Sequence, residues 1–337
     1  MLNSRALLAG LCGLALIETA CVSSASGDAR RPIEAFDMRA CVNMGNTLDS
    51  PRGQPWGDPL DPAHFPLIRA AGFDTIRLPV RWNDHTSGAP DFALEPGFTE
   101  TVAEAVDAAL AADLNVILNI HHYEAIMVDP DGEMAKFTAL WGQIATRFAD
   151  YPSDLWFEAL NEPKEQLTGD ALAATQRAAV DTIRKTNPDR IIILGADDWS
   201  SIRTLDSNIP PPDGAIVYTF HYYDPFAFTH QDAPWTGENG PKGERGWGSD
   251  EDHERVKIDA ATAADFAARM ERPVFLGEFG AYEAAPRESR VAYTRAVRQA
   301  MEAEAIPWCL WSFTNTFPLY DDETGFDDAM LSALIDD

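Results

Sequence analysis

A single (β/α)8 barrel of the α/β class is the fold the sequence predicts, and three observations predict it. Eight short apolar runs, rich in Val, Ile, Leu and aromatic residues, punctuate the 337 residues. Helical patterns lie between most of them, and polar and aromatic residues gather where seven of them end. Runs that stay apolar without alternation suit strands buried on both faces, and their alternation with helices signals a parallel sheet. Eight such strands over about 300 residues fit a closed barrel better than a doubly wound sheet, and barrels carry their active sites at the C-terminal strand ends.

The eight runs are Cys41–Met44, Thr75–Leu78, Asn115–Ile120, Leu155–Ala159, Ile191–Leu194, Ala215–Phe220, Val274–Leu276 and Trp308–Trp311. Helical periodicity covers Asp61–Ala71, with an Asp placed to cap it, and Thr99–Ala112, Gly132–Phe148, Ala171–Lys185, Asp250–Met270 and Arg287–Ala303. Thr186-Asn187-Pro188 is a helix stop, since proline cannot continue the ladder. The seven polar clusters are Asn43–Asn46, Arg77–Trp82, His121–Tyr123, Asn161–Pro163, His221–Tyr223, Gly277–Gly280 and Trp311-Ser312. No repeat, low-complexity tract or linker divides residues 32–337, which read as one barrel domain.

Acidic residues number 54 against 26 Lys plus Arg, a formal net charge of −28. That balance argues against nucleic acid and against an anionic membrane surface, both of which need clustered cations. It suits a neutral or cationic ligand. Residues 1–25 read as an export signal and lead: Arg5 supplies the positive start and Ala6–Ile17 an apolar run too short to span a bilayer. The protein is therefore expected outside the cytoplasm. Thr19-Ala20-Cys21 resembles the end of a lipoprotein signal, which makes Cys21 a candidate lipid anchor, although Glu18 stands where an apolar residue is usual. Cys41 and Cys309 sit in apolar runs and are expected as buried thiols; no cysteine pair has metal-ligand spacing.

Two carboxylates lead the chemistry. Glu162 follows the fourth run and Glu278 the seventh, strands that face one another across a closed barrel. Two glutamates on a cleft rim are what glycosidic hydrolysis needs, one to protonate the leaving oxygen and one to attack or to activate water. Glu158 is expected inside the barrel, paired with a cation and not catalytic. Arg77, at the end of an apolar strand, needs a carboxylate, and Glu278 is the expected partner. His121 and His221 admit a metal-dependent alternative, but there is no His-x-His on the first strand. A non-catalytic sugar-binding barrel is a further alternative, against which both glutamates speak.

These residues together carry a resemblance. Asn43-Met44-Gly45-Asn46, Thr75-Ile76-Arg77-Leu78-Pro79, Leu118-Asn119-Ile120-His121, Leu160-Asn161-Glu162-Pro163, Phe220-His221-Tyr222-Tyr223, Leu276-Gly277-Glu278-Phe279-Gly280 and Leu310-Trp311 stand in the order found in glycoside hydrolase family 5, which the mature chain resembles along essentially its whole length. The resemblance implies a retaining endo-acting β-1,4-glucanase, with mannan, xyloglucan and mixed-linkage glucan as alternative polymers. It implies Glu162 as acid/base, Glu278 as nucleophile, and Asn161 on the sugar 2-hydroxyl. Arg77 and Tyr223 would position the nucleophile, His121 would line the −1 sugar site, and His221 would stand beside the acid/base. Trp311 would floor that site, with Trp308 as a competitor. The neighbours are expected to keep Glu278 ionised and Glu162 protonated. Trp235, Trp247, Trp56 and Trp82 are candidate sugar platforms, since sugar C–H faces stack on flat rings. No cofactor, metal or partner protein is expected, and the chain is expected to act as a monomer on a β-linked polysaccharide or oligosaccharide.

Overall fold

The computed structural model describes residues 36–207 and 214–335. The signal reading of residues 1–25, with Cys21, lies outside the described residues.

Eight parallel strands close into a barrel in sequence order: β1 Ala40–Asn43, β2 Thr75–Leu78, β3 Asn115–Asn119, β4 Leu155–Glu158, β5 Ile192–Gly195, β6 Ile216–Tyr222, β7 Val274–Phe279 and β8 Trp308–Leu310. The expected (β/α)8 architecture is the observed one. Around it run α1 His64–Ala70, α2 Pro96–Ala111, α3 Glu124–Val128, α4 Pro130–Arg147, α5 Gly169–Ile183, α6 Asp197–Ser200, α7 Phe226–Thr229, α8 Asp250–Met270, α9 Arg287–Ala303 and α10 Asp328–Ile335. Between β5 and β6 the expected alternation weakens to the short α6 and a 3-10 turn at Ile202–Ser207. Asp61 does not cap α1 directly; its Oδ1 accepts from Ala63 N at 2.9 Å, one turn residue early. The long α8 starts with a reciprocal cap, in which Ser249 accepts from Asp252 N and Asp252 accepts from Ser249 N. A hairpin of β9 Tyr320–Asp321 and β10 Gly325–Phe326 and the final α10 follow β8; neither was expected.

Period two explains how the strands divide the core. Alternate residues such as Val42, Ile76, Val116, Leu118 and Phe157 face the helices and join one large apolar cluster. The intervening Cys41, Ile117, Trp156, Val217, Phe275 and Cys309 form a second cluster that fills the lower part of the barrel interior. One residue pair further along the same inner face, the side chains turn polar: Asn43, Arg77, Asn119 and Glu158, all fully or almost fully buried. The barrel thus has an apolar plug below and a polar floor above, and the polar floor is where the strand ends open.

Register also corrects one expectation. Cys41 and Cys309 are buried but are not thiols. They stand opposite each other where β1 pairs with β8, and they form a disulfide across 268 residues of chain. Two inward-facing residues in register on neighbouring parallel strands have their Sγ atoms side by side, which apolar runs read singly cannot reveal. The bond lies at the seam that closes the barrel. In a digest made under denaturing, non-reducing conditions, the peptides that carry Cys41 and Cys309 are expected as one linked species that only reduction separates; mass spectrometry finding either peptide free and alkylated would contradict this.

Candidate active site

The polar floor is organised by Arg77. Its guanidinium is completely buried and donates to Glu158 through Nε at 2.6 Å and Nη2 at 2.7 Å, a two-point pair, and to Glu278 Oε1 through Nη1 at 2.6 Å. The remaining donors reach Asn43 Oδ1 at 2.9 Å and Asn161 Oδ1 at 2.7 Å. One side chain from β2 therefore fixes residues from β1, β4, the β4 loop and β7. Glu158 is the structural partner that was expected, and the Arg77–Glu278 contact is present as well. Because Asn161 spends its carbonyl on Arg77, its amide hydrogens are left to face the cleft.

Glu278 lies near the end of β7, with Tyr223 Oη donating to its other oxygen at 2.9 Å. Glu162 follows Asn161 in the left-handed backbone region, φ 43°, which turns the chain sharply after β4. Its Oε1 is 2.8 Å from His221 Nδ1, and the same nitrogen is 3.6 Å from Glu278 Oε2. Ligand atoms of Glu162, His221 and Glu278 all lie within 4.8 Å of one another. His221 can approach because residue 277 is glycine: a Cβ there would meet the His221 ring at 3.2 Å and Thr219 Oγ1 at 2.4 Å.

Electrostatics in the empty cleft reverse one expectation. Burial pushes the Glu278 carboxyl above its ordinary value, and the pull of His221 and Arg77 does not overcome it. Burial acts on Glu162 in the same direction, but there the hydrogen bond and charge of His221 win and hold it below its ordinary value. Burial pulls the His221 ring down, yet the facing Glu278 and Glu162 carboxylates more than offset it and raise it. The three groups titrate as one unit that shares protons across short contacts. The carboxyl touched by Arg77 and Tyr223 is thus the one raised and the carboxyl bonded to His221 the one lowered, the opposite of the order expected from Arg77 and Tyr223 alone. The reason is that His221 bonds the other carboxylate.

His121, two residues beyond β3, is buried, and burial first, then the electrostatic influence of His122 and Arg77, keeps its pKa well below the usual histidine value. Its Nδ1 accepts from Asn119 Nδ2 at 2.9 Å, because Asn119 spends its Oδ1 on Val80 N. Its ring stacks beside Trp311, 5.8 Å between centroids. Trp311 in turn lies over Gly45, where a Cβ would come within 2.6 Å of the indole. The structure therefore brings Arg77, His121, Asn161, Glu162, His221, Tyr223, Glu278 and Trp311 to one end of the barrel.

The tryptophans divide. Trp235 is 50% exposed and stands on the rim, beside Tyr282 at 4.8 Å and Phe317 at 6.0 Å; Trp56 is 46% exposed and packs edge-on against His122. Trp82 and Trp247, expected as platforms, and Trp308, the competitor of Trp311, are packing residues: all three are buried, and Trp82 and Trp308 spend their indole N–H on Asn119 O and Glu302. Sequence reading missed Trp199, 51% exposed on the short helix after β5, with Lys164 5.7 Å from its ring centre. Its backbone N–H donates to Pro163 O, next to Glu162. The signal was present, since β5 was the one strand end without an assigned cluster and Ala196-Asp197-Asp198-Trp199 supplies it. Asn43 and Asn119 had been quoted only as parts of motifs. Among the described residues two groups have metal-ligand proximity, Glu162–His221–Glu278 and Asp49–His121–His122.

His230, at the end of α7, stacks on Phe226 at 4.2 Å and meets Tyr223 edge-on at 4.9 Å. Burial pushes its pKa down to about 4. An unfolded chain takes up this proton below pH about 6.5 and the native chain does not until about 4, so stability falls as pH drops through that window. Urea unfolding at pH 4.5 against pH 7 is expected to show that His230→Gln removes about 2 kcal/mol of the acid-induced loss; an unchanged difference would refute it.

Comparison with known proteins places this arrangement. The family model described as "Cellulase (glycosyl hydrolase family 5)" matches residues 32–317. Endoglucanase H of Acetivibrio thermocellus is 33% identical over 92% of the chain and 34% of its own length, and Endoglucanase B of Clostridium cellulovorans is 30% identical over 82% of the chain and 66% of its own. The chain thus spans between a third and two thirds of these relatives. Among solved structures, Thermotoga maritima Cel5A in complex with cellobiose is 36% identical with a TM-score of 0.85, covering 88% of this chain and 97% of that one. The same enzyme has been solved with mannotriose, at 35% identity, a TM-score of 0.84 and the same coverage.

Proposed function

Because the chain belongs to the cellulase family, glycosyl hydrolase family 5, we propose that it cleaves internal β-1,4 bonds of a glucan with retention of configuration. The observation that carries this reading is the proximity of the two carboxylates: oxygens of Glu162 and Glu278 lie within 4.8 Å of each other. Retaining enzymes hold their carboxyl groups about 5–5.5 Å apart, whereas inverting enzymes leave about 6.5–9.5 Å for a water.

In this mechanism Glu278 attacks the anomeric carbon, since Arg77 and Tyr223 both donate to it and leave its geometry rigid. Glu162 protonates the leaving oxygen. His221 Nδ1 stands 2.8 Å from Glu162 Oε1 and 3.6 Å from Glu278 Oε2, placed to pass a proton between them. Once Glu278 is esterified, its charge is gone and Glu162 becomes the base for the incoming water. Asn161 donates to the sugar 2-hydroxyl, His121 lines the −1 ring and Trp311 floors it. Trp199 and Trp235 extend the surface on which the polymer lies. The strongly acidic chain suits an uncharged polymer. Residues 1–25 export the protein, with Cys21 as an anchor if lipidated, and it acts as a monomer. A second reading, a mannan substrate, is favoured by one observation, the mannotriose complex of Cel5A. Product analysis on purified cellulose, mixed-linkage glucan, xyloglucan and mannan decides between the polymers.

Two variants separate the roles of the glutamates. Glu278→Ala is expected to lose turnover on every substrate. Glu162→Ala is expected to lose roughly 10²- to 10⁴-fold on polymer, yet still to release dinitrophenolate in a burst from an activated glycoside, then stall until azide relieves it. If Glu162→Ala is as inert as Glu278→Ala on the activated substrate, with no azide effect, the assignment fails. Activity is also expected to survive exhaustive chelation; a loss that zinc restores would favour metal-dependent hydrolysis.

A further inference from the structure

Strand β7 breaks the period that its neighbour β6 keeps. On β6, Val217 lies in the inner apolar cluster and His221 in the cleft, while Tyr218, Phe220 and Tyr222 join the outer cluster. On β7, Phe275 is inner and Val274, Leu276 and Phe279 are outer. Regular alternation from Phe275 would put residue 277 inside and turn Glu278 outward among the helices. Glu278 instead faces inward, onto Arg77 and Tyr223.

The register gives the cause. β6 pairs Phe220 with Leu276 and then His221 with Glu278, and β8 pairs Trp308 with Leu276 and then Leu310 with Phe279. Against either neighbour β7 carries one extra residue, and Gly277 has no partner in either register. This is a β-bulge, a device that re-aims a side chain at the cost of local ladder bonds. Gly277 and Glu278 then point to the same side, where a Cβ at 277 would strike Thr219 Oγ1 at 2.4 Å.

A carbonyl released by a bulge and buried needs a donor. Asn43, fully buried on β1, supplies it: its Nδ2 donates to Gly277 O at 3.0 Å and to Leu310 O at 3.2 Å. The amide has one orientation, because its Oδ1 accepts from Arg77 Nη1 at 2.9 Å and a guanidinium can only donate. That same Nη1 donates to Glu278 Oε1. Asn43 therefore grips Glu278 from both ends, through the carbonyl just before it and through the nitrogen that holds its carboxylate. With no solvent contact of its own, it touches no substrate.

We propose that Asn43 is the positioning residue that holds the Gly277 bulge and so keeps Glu278 turned from the helix face into the cleft, aimed at the anomeric carbon. The inference rests on the glycanase reading, in which Glu278 is the nucleophile, and adds a residue that acts through Glu278 and not on the sugar.

The experiment isolates the attack by Glu278. A dinitrophenyl 2-fluorocellobioside traps it: a Glu278 oxygen bonds to the anomeric carbon, dinitrophenolate leaves with the bonding pair, and the fluorine slows the hydrolysis that would free the ester. The labelling rate at saturation reads attack, and the concentration for half saturation reads binding. Both are measured across pH for the unaltered chain and for Asn43→Ala, and compared on the plateau where Glu278 is ionised, so that a displaced titration does not count as a loss. Asn43→Ala is expected to slow labelling at saturation roughly 100-fold, the cost of about 1 Å of misplacement, with half saturation kept within about 3-fold. Labelling that stays within about 3-fold of the unaltered chain overturns the proposal. So does a loss carried by half saturation, the sign of a loosened cleft. Asn43→Asp keeps the acceptor for Arg77 and removes the donor to Gly277 O, so the same loss is expected from it where Asn43→Ala does not fold. An unaltered chain that takes no label from this reagent or from its mannobiose counterpart defeats the glycanase reading, and the inference with it; a chain labelled at Glu278 leaves the Asn43 comparison to decide.

Discussion

The rest of the site depends on the burial of one arginine. Arg77 has no contact with solvent, and its charge is tolerable only because two carboxylates and two amide oxygens surround it. Removing one partner of such a group leaves an unpaired buried charge, a loss of about 3–5 kcal/mol in comparable cases. Glu158 is therefore as necessary to the centre as Glu278, although it is buried and bonded to Arg77 through both oxygens. The same guanidinium sets which way Asn161 turns its amide and where Glu278 holds its oxygens. A lysine could not do this, since a point charge lacks the planar fork that reaches four acceptors at fixed angles.

Around this hub the barrel uses its inner face economically. The lower layer of Cys41, Ile117, Trp156, Val217, Phe275 and Cys309 is apolar and buried. The disulfide crosses the β1–β8 seam in that layer, directly beneath Asn43, whose amide donates to Gly277 O and Leu310 O on β7 and β8. Closure of the barrel and placement of the Glu278 strand are thus tied to the same few atoms. Above them, Gly45 and Gly277 hold no side chain so that Trp311 and His221 can approach backbone closely. A methyl group at either position would push an aromatic ring out of the cleft wall.

The proton inventory shows why a list of neighbours does not set an acid–base order. Arg77 and Tyr223 touch Glu278, yet the group whose charge decides the empty cleft is His221, which is hydrogen-bonded to Glu162 and farther from Glu278. Its position depends on a glycine at 277, which is not titratable. Filling the cleft with a sugar changes the solvation of both carboxylates, so the order in the empty site is a starting condition for the chemistry.

The amino-acid sequence by itself determined the strand count, the alternation with helices and the strand ends at which polar residues emerge. Those are local properties: an apolar run, its period and the residue after it are legible without knowing what lies opposite. It also pointed to the convergence of Glu162 and Glu278, because the C-terminal ends of all strands of a closed parallel barrel open on one face. What lies opposite was decided only by the tertiary structure. Cys41 and Cys309 became a disulfide because register set them side by side after 268 residues. Trp82 and Trp308 became core while Trp199 and Trp56 became surface, a difference that residue type does not encode. Asp49 was left with a buried oxygen that makes no hydrogen bond. Each of these is a relation between distant segments, and it exists only once the barrel has closed.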